Sequence, residues 1–506
     1  MTGLRQRTLL PCLALAIASA FPALASAQYI APDPGGQEFA AVPVPAPGKV
    51  FGLNEDIIDF SHSQGPAAYA DYASIAGANV VKTTLEWWRA QDCLDENGVR
   101  VYENCETIQW SNRRWGVWAQ AYNALRARGI TPLFVLASAP IWYRENTTPS
   151  PSNCPSCRYP PGPANDAKWA EFVTRVATAF PESIIQVWNE PNLHYWWGKA
   201  PPDPERYAEL VQVAYDAVQA VEDELGPAVE IPVVAPALAN VPDTPEAEAD
   251  PDVMSMRDFL DAAYAAPAPL ADHIDALAIN MFPHDDDYGK NTLLASSFQD
   301  VRQAQAAAGD VHKILITETG LPATDVVALG TVPWDEAERA FELWTLYNRL
   351  MTMDDVIGVI FHRIIEPLDS NPENPLEHGY AWMKYAPPPD PLKPQVQAAA
   401  PEPKLVYCVF AELAEGLYPQ CLEATITDGP KGRIKQRRVR FYFEAGPSST
   451  VGTRFQCSLD RPGFRGCESG QQYRVKPGKH VFKVRARNAT DFGTPATRKF
   501  RVAKRN

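Results

Sequence analysis

Apolar residues gather in eight short runs along the first three quarters of the chain: Phe51–Glu55, Val80–Trp87, Thr131–Ser138, Ile184–Glu190, Ile231–Leu238, Ile274–Phe282, Lys313–Glu318 and Val356–Ile365. Each is rich in β-branched or aromatic residues and bounded by turn-formers, which predicts strands. Between them apolar positions recur with helical spacing, most clearly over Arg113–Arg128, Ala164–Phe180, Glu205–Leu225, Ser297–Ala308 and Asp335–Met353. Several of these segments open on Pro, Asp or Ser, as helix starts do. Alternation of strand and helix predicts an α/β fold with a parallel sheet. Eight such units predict a (β/α)8 TIM barrel, whose reacting groups sit at the carboxyl ends of its strands.

The texture changes near residue 426. Segments 438–444, 453–460 and 480–486 alternate polar and apolar residues with turn signals between them. That is the pattern of half-exposed antiparallel strands, so a small all-β sandwich is expected to follow the barrel. Proline-rich stretches at 31–48 and 386–403 read as extended connectors. The resulting division is a leader over 1–27, a Pro-rich segment over 28–47, the barrel over 48–390, a connector over 391–425 and the sandwich over 426–506.

The leader is expected from Arg5 and Arg7, the apolar stretch from about Thr8 to Ala18, and the small residues of Ala25-Ser26-Ala27. A mature chain beginning near Gln28 would be exported and secreted. Cys12 has almost no apolar sequence before it, which argues against a lipid-anchored cysteine. No later run approaches the roughly 18 apolar residues that cross a bilayer. The eight remaining cysteines fall into close pairs: Cys93 with Cys105, Cys154 with Cys157, Cys408 with Cys421, and Cys457 with Cys467. Local disulfides suit an exported protein. Zinc is the other reading of Cys154-Pro-Ser-Cys157, but no second such pair or pair of histidines accompanies it.

With 506 residues, 46% of them hydrophobic, there is material for a large core and a smaller one. Charge is unevenly placed. The whole chain carries −15, yet residues 430–506 hold 20 lysines and arginines against only Glu444, Asp460, Glu468 and Asp491. Such a tail fits contact with an anionic cell surface or polysaccharide. A merely solvated basic face is the alternative. Nothing resembling a nucleic-acid module accompanies the charge.

The chemistry is concentrated at two strand ends. Ile184-Ile185-Gln186-Val187-Trp188-Asn189-Glu190-Pro191-Asn192 runs apolar, then delivers a carboxylate where proline stops further pairing. Lys313-Ile314-Leu315-Ile316-Thr317-Glu318-Thr319-Gly320 repeats the design. Glutamates ending the fourth and seventh strands supply a proton donor and a nucleophile, the minimum equipment of a retaining glycosidase, in which the two carboxyls lie about 5 Å apart. At that range one ionised carboxyl raises the pKa of the other and keeps it a proton donor near neutral pH.

Trp188-Asn189-Glu190-Pro191-Asn192 together with Ile316-Thr317-Glu318-Thr319-Gly320 resembles the clan A glycoside hydrolases, a group that includes cellulases, mannanases, xylanases, β-xylosidases and iduronidases. The resemblance covers roughly residues 48–390. It implies retaining hydrolysis through a covalent glycosyl-enzyme, with Glu190 as acid/base, Glu318 as nucleophile and Asn189 hydrogen-bonding the sugar 2-hydroxyl. The chain departs from the family on strand two, where Lys82 stands for the arginine that often contacts the nucleophile. It departs on strand six, where Asn280-Met281-Phe282 replaces His-x-Tyr, and on strand eight, where Phe361-His362-Arg363 lies near the usual sugar-stacking tryptophan. Phe455–Asp460, Cys467 and Gly478–Ala486 resemble the immunoglobulin-like or fibronectin-like modules appended to exported bacterial proteins, which implies attachment rather than catalysis.

Sugar rings stack their C–H faces on flat aromatic side chains, so Trp87, which ends strand two, and Trp142 and Trp197, which follow strands three and four, are candidate subsite platforms. Lys82, Glu86, Asn280, Phe282, His284 and His362 complete the expected substrate-binding set. Asp285, Asp286 and Asp287 lack the spacing of a calcium loop and read as a solvated acidic turn. No cofactor or metal is expected, and no GxSxG, HExxH, P-loop or strand-to-helix GxGxxG motif points to other chemistry. The expectation is a monomeric enzyme with a carbohydrate substrate; a barrel that binds carbohydrate without turnover is the alternative raised by Lys82, Asn280 and Phe282.

Overall fold

The computed structural model describes residues 42–55, 57, 65–101, 106–144, 159–198, 201–282, 292–321, 336–365, 380–384, 402–414, 419–446, 454–487 and 492–504. The leader, His284 with its acidic loop, Cys105, Cys154 and Cys157 lie outside the described residues.

Eight parallel strands close into a ring: β1 (Val50–Asn54), β2 (Val80–Glu86), β3 (Thr131–Ala137), β4 (Ile184–Val187), β5 (Val233–Leu238), β6 (Ala276–Asn280), β7 (Ile314–Thr319) and β8 (Val356–His362). Each pairs with its neighbours in sequence, and β1 completes the ring against β8. The register sets Asn54 level with His362 on one side and with Lys82 on the other, so three polar side chains meet at the carboxyl end of the seam. Most strand positions are buried, the consequence of a ring whose inside is filled by side chains and whose outside is covered by helices.

The covering helices are α1 (Gly65–Ile75), α2 (Asn112–Arg126), α3 (Asp166–Ala179), α4 (Pro204–Leu225), α5 (Met256–Ala265), α6 (Thr292–Ala308) and α7 (Glu336–Met351). Their starts are written in the sequence. Pro204 opens α4 while the Asp203 side chain accepts from the Arg206 amide, and Ser255 accepts from the Asp258 amide at α5. No helix among the described residues is long and apolar enough to cross a membrane.

Two stretches read as connectors belong partly to the barrel. Val42 and Ala46 donate backbone N–H bonds to Asn348 Oδ1 (2.7 Å) and the Tyr347 hydroxyl (2.9 Å), laying the end of the Pro-rich segment on α7. Leu405–Leu413, within the expected connector 391–425, is a further helix, α8. Val406, Tyr407 and Phe410 are buried in the barrel core, and Phe410 stacks on Phe51 at 5.4 Å and lies 4.8 Å from Trp382. Cys408 is joined to Cys421 just beyond it. After β2 a small antiparallel sheet of Gln91–Leu94, Arg100–Val101 and Thr107–Trp110 is inserted, and its Cys93 is disulfide-bonded.

The C-terminal region is all-β. A five-stranded sheet contains β9 (Gly432–Ile434), β10 (Arg454–Leu459), β11 (Gly478–Arg487) and β12 (Ala496–Val502), with Arg465–Cys467 at one edge. Shorter strand pairs, Ala424–Asp428 with Tyr442–Ala445 and Arg438–Arg440 with Gln472–Arg474, accompany it. Its own core is formed by Phe441, Phe443, Phe482, Val484 and Phe500, with Phe441 stacked on Phe482 at 3.8 Å. Cys457–Cys467 ties two adjacent strands.

Candidate active site

The strand carrying Glu190 ends at Val187, three residues earlier than its apolar run predicts. Trp188 and Glu190 adopt left-handed φ angles of 66° and 44°, a conformation that costs an L-residue roughly 1–2 kcal/mol. The surroundings hold it in place. Trp188 N–H donates to Leu136 O (3.0 Å), Glu190 N–H to Ala237 O (3.0 Å) and Leu193 N–H to Glu190 O (3.0 Å). Asn192, fully buried, accepts from the Ala239 amide (2.9 Å) and donates to the carbonyls of Ala239 and Met254 (3.0 Å each). Of the Trp-Asn-Glu-Pro-Asn string, the last asparagine is thus the bolt that fixes the loop, and the turn aims Glu190 into the barrel mouth.

Glu318 reaches the same mouth from β7. Its Oε1 accepts from Lys82 Nζ at 2.7 Å and from Asn54 Nδ2 at 3.0 Å. The Lys82 side chain is 1% exposed, so this ion pair is shielded from water. Lys82 also lies 3.3 Å from Asn189 Oδ1, which a second donor, Gln186 Nε2, approaches at 3.3 Å. Asn54 Nδ2 spends its other hydrogen on His362 Nδ1 (3.0 Å), so that imidazole nitrogen is the acceptor.

Glu190 is held differently. Asn280 Nδ2 donates to its Oε1 at 3.0 Å, and the Trp196 side chain makes a second hydrogen bond to it. The Asn280 amide is itself oriented by Thr317, whose hydroxyl donates to Asn280 Oδ1 at 2.8 Å. Although Glu190 keeps some surface at the mouth, desolvation by the surrounding protein pushes its carboxyl up to about 7, and the nearby Glu318 charge adds to the rise. The Asn280 bond, the Lys82 charge and the Trp196 bond oppose it without overcoming it. One carboxyl is therefore poised to keep its proton near neutrality, while the other is ion-paired.

The expected platforms divide. Trp87 is fully buried between Tyr143 (5.1 Å) and Phe172 (5.5 Å), and Trp197 is buried against Trp188 (6.2 Å) and Tyr207 (6.0 Å). Both belong to the core rather than to a groove, a correction to their reading as sugar platforms. Trp142 remains half-buried beside Tyr143. Glu86 is half-buried and paired with Arg89, not with Lys82. Asn280 is enclosed and committed to Glu190. Phe282 and His362 form an edge-on cluster with Tyr380, at 6.0 Å from each other and 5.4 and 5.8 Å from the tyrosine.

Asn54, Gln186, Thr317, Trp196 and Tyr380 are the site residues that the sequence reading passes over. The first three are lone polar residues inside or at the end of apolar strands, a signal that parity along the strand would have caught. Trp196 sits in the one-turn helix His194–Trp197 and Tyr380 in the stretch beyond β8, segments too short for a periodic pattern to give a side chain its direction.

No protein-family model and no curated protein matches the chain. Solved structures that it resembles include glycoside hydrolases. A family 39 glycoside hydrolase from Bacteroides cellulosilyticus is 15% identical over 92% of this chain and 82% of that one, with a TM-score of 0.44. A hyperthermophilic β-glucosidase from Pyrococcus furiosus is 14% identical over 74% and 96%, at 0.45. A modular endo-β-1,4-mannanase from Cellulomonas fimi is 14% identical over 90% and 94%, at 0.41.

Proposed function

We propose that the protein is a retaining glycoside hydrolase acting on a poly- or oligosaccharide, with Glu190 as acid/base and Glu318 as nucleophile. The observation that carries this reading is the asymmetry of two carboxyls sharing one barrel mouth: Glu190 raised to about 7, Glu318 ion-paired to Lys82 at 2.7 Å. Glu190 donates its proton to the glycosidic oxygen as Glu318 attacks the anomeric carbon, and the C–O bond to the leaving group breaks. Esterification removes the Glu318 charge, so the repulsion that raised Glu190 disappears. Glu190 then takes a proton from the attacking water, which displaces Glu318 and regenerates both carboxyls. Asn189, with its carbonyl oxygen facing Lys82 and Gln186, presents its amide hydrogens for the sugar 2-hydroxyl.

Disulfides at Cys408–Cys421 and Cys457–Cys467 support a site of action outside the reducing cytosol, in line with the leader read at residues 1–27. In this reading one chain supplies both carboxyls and their partners.

The test is a panel of aryl β-glycosides and polysaccharides assayed with wild type, Glu318→Ala and Glu190→Ala, each with and without azide. Expected are turnover by wild type, loss in both variants, and azide products of opposite anomeric configuration, inverted from Glu318→Ala and retained from Glu190→Ala. Binding without turnover on every member of the panel, unchanged by Glu318→Ala, would establish a carbohydrate-binding barrel instead.

A further inference from the structure

The outward face of the C-terminal five-stranded sheet is organised around like charges. Along β11, His480, Phe482, Val484 and Ala486 are buried, which turns Lys479 and Lys483 to the other side. Across β12, Lys499 and Arg501 share that side. The register sets Arg501 directly opposite Lys479, while Arg433 of β9 lies opposite Arg501 on its far side, so three cations stand in one row across three strands. All five side chains are exposed, and among the described residues none has an acidic partner. Arg485 on the same strand shows what a satisfied arginine looks like here. It donates to Gln456 Oε1 (2.8 Å) and lies over Phe464 (4.2 Å) and Phe492 (3.9 Å).

Like charges directly opposite on neighbouring strands destabilise a sheet. The fold gains nothing from that row, which makes the face a surface built for something outside it. Strand spacing sets the cations about 4.8 Å apart across the sheet, about 6.7 Å apart along β12 (Lys499, Arg501) and about 13 Å apart along β11 (Lys479, Lys483). An extended polymer bearing repeated anionic groups can meet several of them at once, and the gain from simultaneous contacts is large even when each is weak. The rest of the chain is acidic enough to make the whole protein −15 despite this region, so its remaining surface would repel the same polymer.

We propose that this face, centred on Arg433, Arg501, Lys479, Lys499 and Lys483, holds the enzyme on a carboxylate-bearing polysaccharide. The choice of a sugar polymer rests on the glycosidase reading of the barrel; the anionic preference rests on the face alone.

The experiment uses the full chain carrying Glu318→Ala, so that retention is read without turnover. This protein and a further variant with Arg433→Gln, Lys479→Gln and Arg501→Gln are run by affinity electrophoresis through gels containing polygalacturonate or neutral dextran. Polygalacturonate should retard the first, with an affinity about ten-fold above that of the triple variant, and 0.5 M NaCl should abolish the retardation, because salt screens exposed charges at about this range. Dextran should retard neither. In an otherwise wild-type background the triple substitution should leave aryl-glycoside turnover unchanged and thermal stability equal or higher, since repulsion has been removed. Equal retardation of both proteins would overturn the proposal. So would retention only by anionic lipid vesicles or duplex DNA in parallel assays, or salt-sensitive self-association seen by sedimentation in place of polymer binding. Failure of the aryl-glycoside panel with polygalacturonate retention intact would overturn the barrel's chemistry and leave this face standing.

Discussion

Lys82 Nζ lies 2.7 Å from Glu318 Oε1, inside the barrel and almost sealed from solvent. A single cation thereby holds the proposed nucleophile while its charge also favours the ionised form of Glu190. Replacing it with methionine, of similar length, should lower turnover by about 10² to 10³, the usual consequence of losing one preorganised charge contact. The alkaline limb of the pH profile for kcat/KM should move to higher pH, because one influence that lowers Glu190 is gone. An unshifted limb would show that Lys82 does not reach Glu190.

Glu190 as acid must carry its proton, so kcat/KM on substrates with poor leaving groups should fall as pH rises through about 7. Glu318→Gln removes the charge that adds to the upward shift. A carbon-13 NMR titration of labelled Glu190 in that variant should therefore give a value below that of wild type, yet still above an ordinary carboxyl, because burial persists.

The same carboxyl makes a stability prediction of unusual sign. Its folded value lies above the ordinary 4.5, so between pH 4.5 and about 7 the native state binds more protons than the unfolded chain. Stability from this group is fully present below the lower value and is lost as pH rises through the upper one, by about 3 kcal/mol in all. Glu190→Gln should flatten that decline in urea unfolding measured from pH 4 to 8.

Thr317 is a positioning residue for Glu190, acting through Asn280. Thr317→Val keeps the volume but leaves Asn280 Oδ1 without its hydroxyl donor. Expected are a several-fold lower kcat and an alkaline limb shifted upward, since a loosened Asn280 no longer favours the ionised acid; Thr317→Ser should restore both. A loss of stability without any movement of the limb would mark Thr317 as structural only.

Asn192→Leu should cost roughly 3 kcal/mol in chemical denaturation, because three hydrogen bonds vanish and the Ala239 amide and the Met254 carbonyl lose the partner that Asn192 gives them, while Ala239 O keeps only the Val241 N–H. Trp197→Ala should likewise act on stability, by about 3–5 kcal/mol, with KM for oligosaccharides little changed. Trp142→Ala should do the reverse and raise KM.

The eight barrel strands were legible because parallel strands buried on both faces appear as apolar runs, and the two glutamates because each interrupts such a run at its end. Other features lay beyond the reach of a linear reading. Trp87 at a strand end and Trp197 just after one stand where groove residues would, and nothing local tells a ring facing Phe172 or Tyr207 from one facing a sugar. The Asn280–Glu190 bond joins side chains 90 positions apart, brought together by the packing of β4, β5 and β6 and by the turn that aims Glu190 inward. Helix α8 escaped notice because it is short and lies behind a proline-dense stretch, where texture argues for a tether.

That last helix changes what counts as the separable catalytic piece. Phe410 plugs the seam where the first strand meets the eighth, and the Cys408–Cys421 link fastens the plug. The eight strands are complete by His362, yet the seam between the first and the eighth is covered only once the helix Leu405–Leu413 has been made, so the earliest-made strand waits longest for its cover. A fragment trimmed at residue 390 would lack that plug, so a barrel piece cut from this chain should run past Cys421.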